Sequence, residues 1–216
     1  MALAISLTVA AVAGLTWWFA VPRVRIDDPE APDLAALVTP RSLVLVSLAA
    51  LAAAQVLWIA PAWTWALLVP YLAFGTPLVA VDWATTWLPR RLQQVAATAL
   101  VPGAVFLGVT DPGALVWAVV GAAVAFGFFL AAWRLSGQLG FGDVLLAGTV
   151  GLVAGQSGPQ QLALALLLGS ALGVVVGVVH RLRRVRHPEL PAYFAYGPAL
   201  WLGVPAAYAV APLLSG

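Results

Sequence analysis

The sequence predicts an all-α, polytopic membrane protein with about eight transmembrane helices, and three observations carry that prediction. Of 216 residues, 63% are apolar and 8% are charged, with a mean hydropathy of +1.01. A soluble domain carries about 25% charged residues, so there is too little polar surface here to cover a globule. Apolar runs approaching the roughly 17–25 residues of a spanning helix recur between charged and Pro/Gly clusters. The arginines fall only in alternate connections between those runs, the segregation that the positive-inside rule describes.

The first run is Ala2 to Val21. No basic residue precedes it and Arg23 and Arg25 follow it, the reverse of a secretory leader, so it is expected to be a retained helix entering from outside. Residues 22–41 form a short cytoplasmic loop, with Asp27, Asp28, Pro29, Glu30, Pro32 and Asp33. The loop is too short for a domain of its own, and residues 1–216 are expected to be a single membrane-embedded domain. The next runs are Leu43 to Ala60, Ala62 to Val81, Val95 to Thr110 and Ala114 to Trp133. The sixth, Val144 to Ala154, would reach only about 16–17 Å as a helix, so it is expected to begin below the surface beside a loop that dips into the protein. Gln161 to Val179 and Ala192 to Leu214 complete the eight.

With this count all ten arginines lie on one side: Arg23, Arg25 and Arg41, then Arg90 and Arg91, then Arg134, then Arg181, Arg183, Arg184 and Arg186. The opposite connections, around Pro61, Thr110 to Gly113 and Gln156 to Gln160, hold no basic residue, which places both termini outside the cytoplasm. Gly121 to Gly127, and Gly169, Gly173 and Gly177 on one face, are expected to be packing seams. Trp17, Trp18, Trp58, Trp63, Trp65, Trp83, Trp87, Trp133 and Trp201 sit near span ends, as an interfacial belt would.

Several chemistries are excluded. The chain has no cysteine, which removes disulfides, Cys-ligated zinc, iron–sulfur clusters and a thiol nucleophile. Its basic residues are scattered arginines without a lysine, so no nucleic-acid-binding stripe exists. His180 and His187 flank the last arginine cluster and are read as facing lipid headgroups, leaving no Ser-His-Asp candidate. No metal site and no cofactor is expected.

Six of the eight acids read as solvated: the four of the first loop, Asp111 in an Asp-Pro-Gly turn and Glu189 among the basic residues. Asp82 and Asp143 each touch the end of an apolar span on the same side, and an acid at a span is costly and usually functional. Two carboxylates within a few ångströms cannot both ionise and share one proton at neutral pH. The charged member can then activate a water while the protonated member donates to the carbonyl under attack, which hydrolyses a peptide without metal or thiol. Gly140, Phe141 and Gly142 precede Asp143 and are expected to form a loop whose glycines adopt unusual backbone geometry and let a substrate strand approach. At a helix start the dipole would favour Asp143 as the charged member.

Asp82 stands seven residues before Pro89 in the Leu88-Pro89 pair, Gly140-Phe141-Gly142-Asp143 follows, and Gly197-Pro198 lies in the last span. This order resembles the type IV prepilin peptidase family, the bacterial members of the Gly-x-Gly-Asp intramembrane aspartyl proteases. The resemblance runs over roughly Leu78 to Leu202. It implies Asp82 and Asp143 as the catalytic pair, with Pro89, Arg90, Arg91 and Pro198 as substrate or interface contacts. It implies cleavage of the short basic leader from a type IV prepilin-like precursor at the cytoplasmic face of a prokaryotic inner membrane, typically after a Gly. Long relatives carry a Cys-bearing soluble domain in the first loop, associated with methylation; the short Cys-free loop here implies a peptidase-only form. Leu145 stands where relatives usually have Lys. A non-catalytic partner in pilus assembly is therefore one alternative reading. A small proton- or cation-coupled transporter is the other, but the outer halves of the spans lack a polar residue matching the two acids.

Overall fold

The computed structural model describes residues 1–26, 28, 31–136, 139–189, 191 and 193–214; Asp27, Pro29, Glu30, Gly137 and Ala192 lie outside the described residues. Among these, eight α-helices and no strand occur. They are α1 (Ala2–Leu15), α2 (Pro40–Ala53), α3 (Trp65–Thr85), α4 (Arg90–Thr110), α5 (Pro112–Ser136), α6 (Phe141–Gly155), α7 (Pro159–Arg186) and α8 (Gly197–Leu214). With their flanking helical turns, all but α6 are long and apolar enough to cross a bilayer. The protein is an all-α polytopic membrane protein, as its sequence predicts. At 15 residues, about 22 Å, α6 is longer than the eleven expected but still short of the roughly 30 Å hydrocarbon core.

Local chemistry sets the helix ends. At α2, Thr39 Oγ1 accepts from the Ser42 N–H at 3.1 Å and Ser42 Oγ accepts from the Thr39 N–H at 2.9 Å, a reciprocal cap that satisfies two otherwise orphaned donors. Trp17 Nε1 donates to the same Ser42 hydroxyl at 3.0 Å, tying the end of the first span to the start of the second. Trp17 is therefore buried structure rather than part of an interfacial belt. Trp201 departs in the same way: it is buried on α8 and stacks on Tyr71 at 5.8 Å between ring centroids. Trp18, Trp58, Trp63 and Trp83 are exposed, as a belt residue would be.

Helix α3 is the hub of the bundle. Two-thirds (67%) of its apolar window is buried, against 17% for α7, and α1, α2, α4 and α8 all pack on it. Helices α5 and α6 form the most extensive pair, with backbones touching at Gly121, Gly151 and Gly155, while Gly127 meets nothing. Helices α7 and α8 meet at Gly169 and Gly203. The expected seam is thus present at Gly121 and Gly169, and Gly127 is not part of one. Gly173 and Gly177 serve a different purpose, seating the rings of Tyr196 and Phe194 from the connection into α8.

Two boundaries differ from the sequence reading. Arg181 to Arg186 lie within the last turns of α7 rather than after it, where cations complement the helix dipole. Arg90 and Arg91 likewise open α4.

Candidate active site

Asp82 sits in the last turn of α3 and is 3% exposed. The helix stops because Thr86 takes the left-handed conformation (φ 60°), its N–H bonding Asp82 O at 2.6 Å. Pro89 follows as the N-cap of α4, buried and extended at ψ 127°, so the chain reverses within a few residues. That reversal sets Leu88 against Gly142: a Cβ on Gly142 would lie 2.6 Å from Leu88 Cβ and 3.2 Å from Gln93 Nε2. Gln93, in the first turn of α4, donates from Nε2 to Gly142 O at 2.8 Å. The segment after Asp82 is thereby locked onto the segment before Asp143.

Asp143 lies in the first turn of α6, with Gly140 as the N-cap. Its Oδ2 accepts from the Gly140 N–H at 3.2 Å, and its own N–H bonds Gly140 O at 3.0 Å. Asp143 thus stands three residues inside the helix start, and Phe141 and Gly142 are helical rather than loop. Gly140 has φ −74°, an ordinary value, so backbone freedom is not what that position uses. Gly142 is required for close approach, because no side chain fits beneath Leu88. Phe141 packs edge-on to Trp133 at 5.4 Å.

The two aspartates line one open cleft of about 880 Å³. Its walls include Phe128, Phe129, Ser170, Tyr193, Phe194 and Tyr196. Asp82 Oδ2 accepts from the Gly197 N–H at 2.9 Å, a bond spanning 115 residues of sequence. Gly197 opens α8, so its N–H is one of the helix-terminal donors with no partner inside the helix. Asp143 Oδ1 is buried with no hydrogen-bond partner among the described residues. Tyr196 donates to Ser170 Oγ at 3.2 Å. Burial raises the Tyr196 phenol above its ordinary range, the Ser170 bond works against that, and the Asp143 carboxylate adds to the rise, so this hydroxyl stays protonated at the mouth of the site.

The remaining sequence candidates lie elsewhere. Arg90 and Arg91 are exposed on the first turn of α4 and do not line the cleft, and Pro89 acts as a buried cap. Pro198 faces an apolar groove beside α2 and α3. His180 bonds the Pro191 carbonyl at 3.0 Å and His187 pairs with Glu189 at 3.1 Å, both outside the cleft. Sequence reasoning missed Gln93, Gly197 as a donor to Asp82, and Tyr196. Gln93 carried a readable signal, since it is a polar residue at the start of an apolar span.

A helical bundle that buries two carboxylates in one cleft at the end of its central helix has the form of a membrane-embedded hydrolase. The chain belongs to the type IV leader peptidase family, whose model matches residues 68–178, just over half its length. That stretch runs from α3 into α7 and includes both aspartates and Gly140 to Gly142, while Gly197 lies beyond it. The protein is accordingly a type IV leader peptidase-like membrane protease. No curated protein and no solved structure matches the chain.

Proposed function

We propose that the protein is an aspartic endopeptidase that removes the short basic leader from type IV prepilin-like precursors, with Asp82 and Asp143 as its catalytic pair. The observation that carries this reading is that the two carboxylates share one cleft and each is fixed by a single backbone N–H. In this mechanism Asp143, on the positive end of α6, is the ionised member. The Asp143 carboxylate takes a proton from a water in the cleft, and the resulting hydroxide adds to the scissile carbonyl carbon. Asp82, whose Oδ2 is occupied by Gly197, carries its proton on Oδ1 and gives it to the carbonyl oxygen. Collapse of the tetrahedral gem-diol breaks the C–N bond: the proton held by Asp143 passes to the leaving nitrogen, and one diol hydroxyl returns its proton to Asp82 as the new carboxyl group forms, which restores the starting pair. The arginine-bearing end of the bundle is the cytoplasmic face of a prokaryotic inner membrane in this reading. The substrate's apolar helix stays in the bilayer while its leader stays in water. The whole chain acts as one peptidase domain without methyltransferase activity.

Co-expression with a candidate prepilin, reading leader removal by gel shift, tests this. Wild type is expected to cleave, and Asp82→Asn and Asp143→Asn each to lose about 10²–10⁴-fold while remaining in the membrane. Cleavage by either variant at the wild-type rate overturns the pair. A wild type that cleaves none of the prepilins supplied favours the non-catalytic reading that Leu145 suggests.

A further inference from the structure

A second cavity, of about 580 Å³, opens between the end of α3 and the last turns of α7. Its apolar wall is Trp83, Val175, Val176, Val179 and Phe194, and at its rim stand Arg183 and His180. The α7 residues recur at helical spacing, Val176, Val179, His180 and Arg183, so one face of that helix presents an apolar stripe ending in a cation. Arg183 has no carboxylate partner among the described residues. Trp83 also lines the apolar groove that continues along α2, α3 and α8, where Leu172 extends the α7 stripe. From Arg183 to Leu172 the helix rises about 16–17 Å, close to the length of an acyl chain. A cationic mouth on a long, mostly apolar slot is complementary to an amphiphile with an anionic head.

We propose that the slot between α3 and α7 binds one anionic phospholipid, its phosphate at Arg183 and an acyl chain against Val179, Val175 and Trp83. A basic pocket between spanning helices is a recurrent headgroup site. The neutral apolar stripe would take any lipid, and Arg183 supplies the preference for negative charge. The site has a consequence next door. Thr86, Tyr193 and Phe194 line both this slot and the cleft of the two aspartates. A lipid seated here therefore adds contacts to the shared wall at Phe194 and at Tyr193, which is otherwise 69% exposed.

The test is native mass spectrometry of the purified full chain, titrated with phosphatidylglycerol or phosphatidylcholine of the same acyl chains. Wild type is expected to retain one phosphatidylglycerol at least tenfold more tightly than phosphatidylcholine. Arg183→Gln should lose about tenfold of that affinity. Arg184→Gln, the same charge change on another face of α7, should stay within twofold. Val179→Trp keeps every charge and fills the slot, and it should displace the lipid too, which separates the slot from general surface charge. Equal losses in Arg183→Gln and Arg184→Gln, equal affinity for the two lipids, or full binding by Val179→Trp would each overturn the proposal. Size exclusion and helical circular dichroism establish that each variant is folded, and the readout does not depend on proteolysis.

Discussion

Replacing Gly197 by alanine probes how Asp82 is held. The added Cβ would lie 2.6 Å from Asp82 Oδ2 and 3.3 Å from Leu146 Cδ2. An unstrained contact needs roughly 3.5 Å, so one side must move by about 0.9 Å. Leu146 is 2% exposed and closes the other side. The carboxylate is the freer partner, and it must swing away from the Gly197 N–H that fixes it at 2.9 Å. Overpacking of this kind costs about 1–3 kcal/mol, and a displacement near 1 Å at reacting groups costs on the order of 10² in rate. Leader cleavage should therefore fall by about two orders of magnitude in Gly197→Ala, while thermal unfolding in detergent moves by only a few degrees. Gly127→Ala is the matched control, since its Cβ would meet nothing within 4 Å. A folded Gly197→Ala protein that cleaves at the wild-type rate would refute the claim that this N–H positions Asp82.

Other positions give independent checks. Gln93→Leu removes the 2.8 Å bond to the part-buried Gly142 O, which keeps its helical partner within α6, so detergent unfolding should show a loss of only about 0.5–1.5 kcal/mol while cleavage falls more than for a lipid-facing change such as Val105→Ala. Gly103→Ala pushes a methyl into the Ala66 carbonyl where α4 crosses α3, and thermal unfolding should show destabilisation of about 1–3 kcal/mol. Thr39→Ala removes one half of the α2 cap and should lower stability by about 1 kcal/mol, with cleavage unchanged.

Composition and run length made the number and order of helices legible, because the bilayer imposes one length scale on every span. Helix ends were less legible where charge and helix coincide. Arg181 to Arg186 looked like a loop because polar residues end an apolar run, yet in a helix that leaves the membrane they simply continue it. The aspartates stood out because acids are rare in such a chain. What holds them did not, since the bond from Gly197 to Asp82 and the fit of Leu88 on Gly142 join residues far apart in sequence. Trp17 and Trp201 were misread for a related reason: a tryptophan near a span end is indistinguishable in sequence from one that folds inward onto Ser42 or Tyr71.

The shortness of α6 couples the protein to the mechanics of its membrane. A helix of about 22 Å in a roughly 30 Å core leaves some 8 Å to be made up by the connections at its ends or by local thinning of the lipid. Asp143 rides on that helix, so a thicker bilayer is expected to carry the cleft deeper below the headgroups. Reconstituting the protein in lipids of increasing acyl length should therefore bury the cleft progressively from water, making membrane thickness a control on hydrolysis that needs no change in the protein.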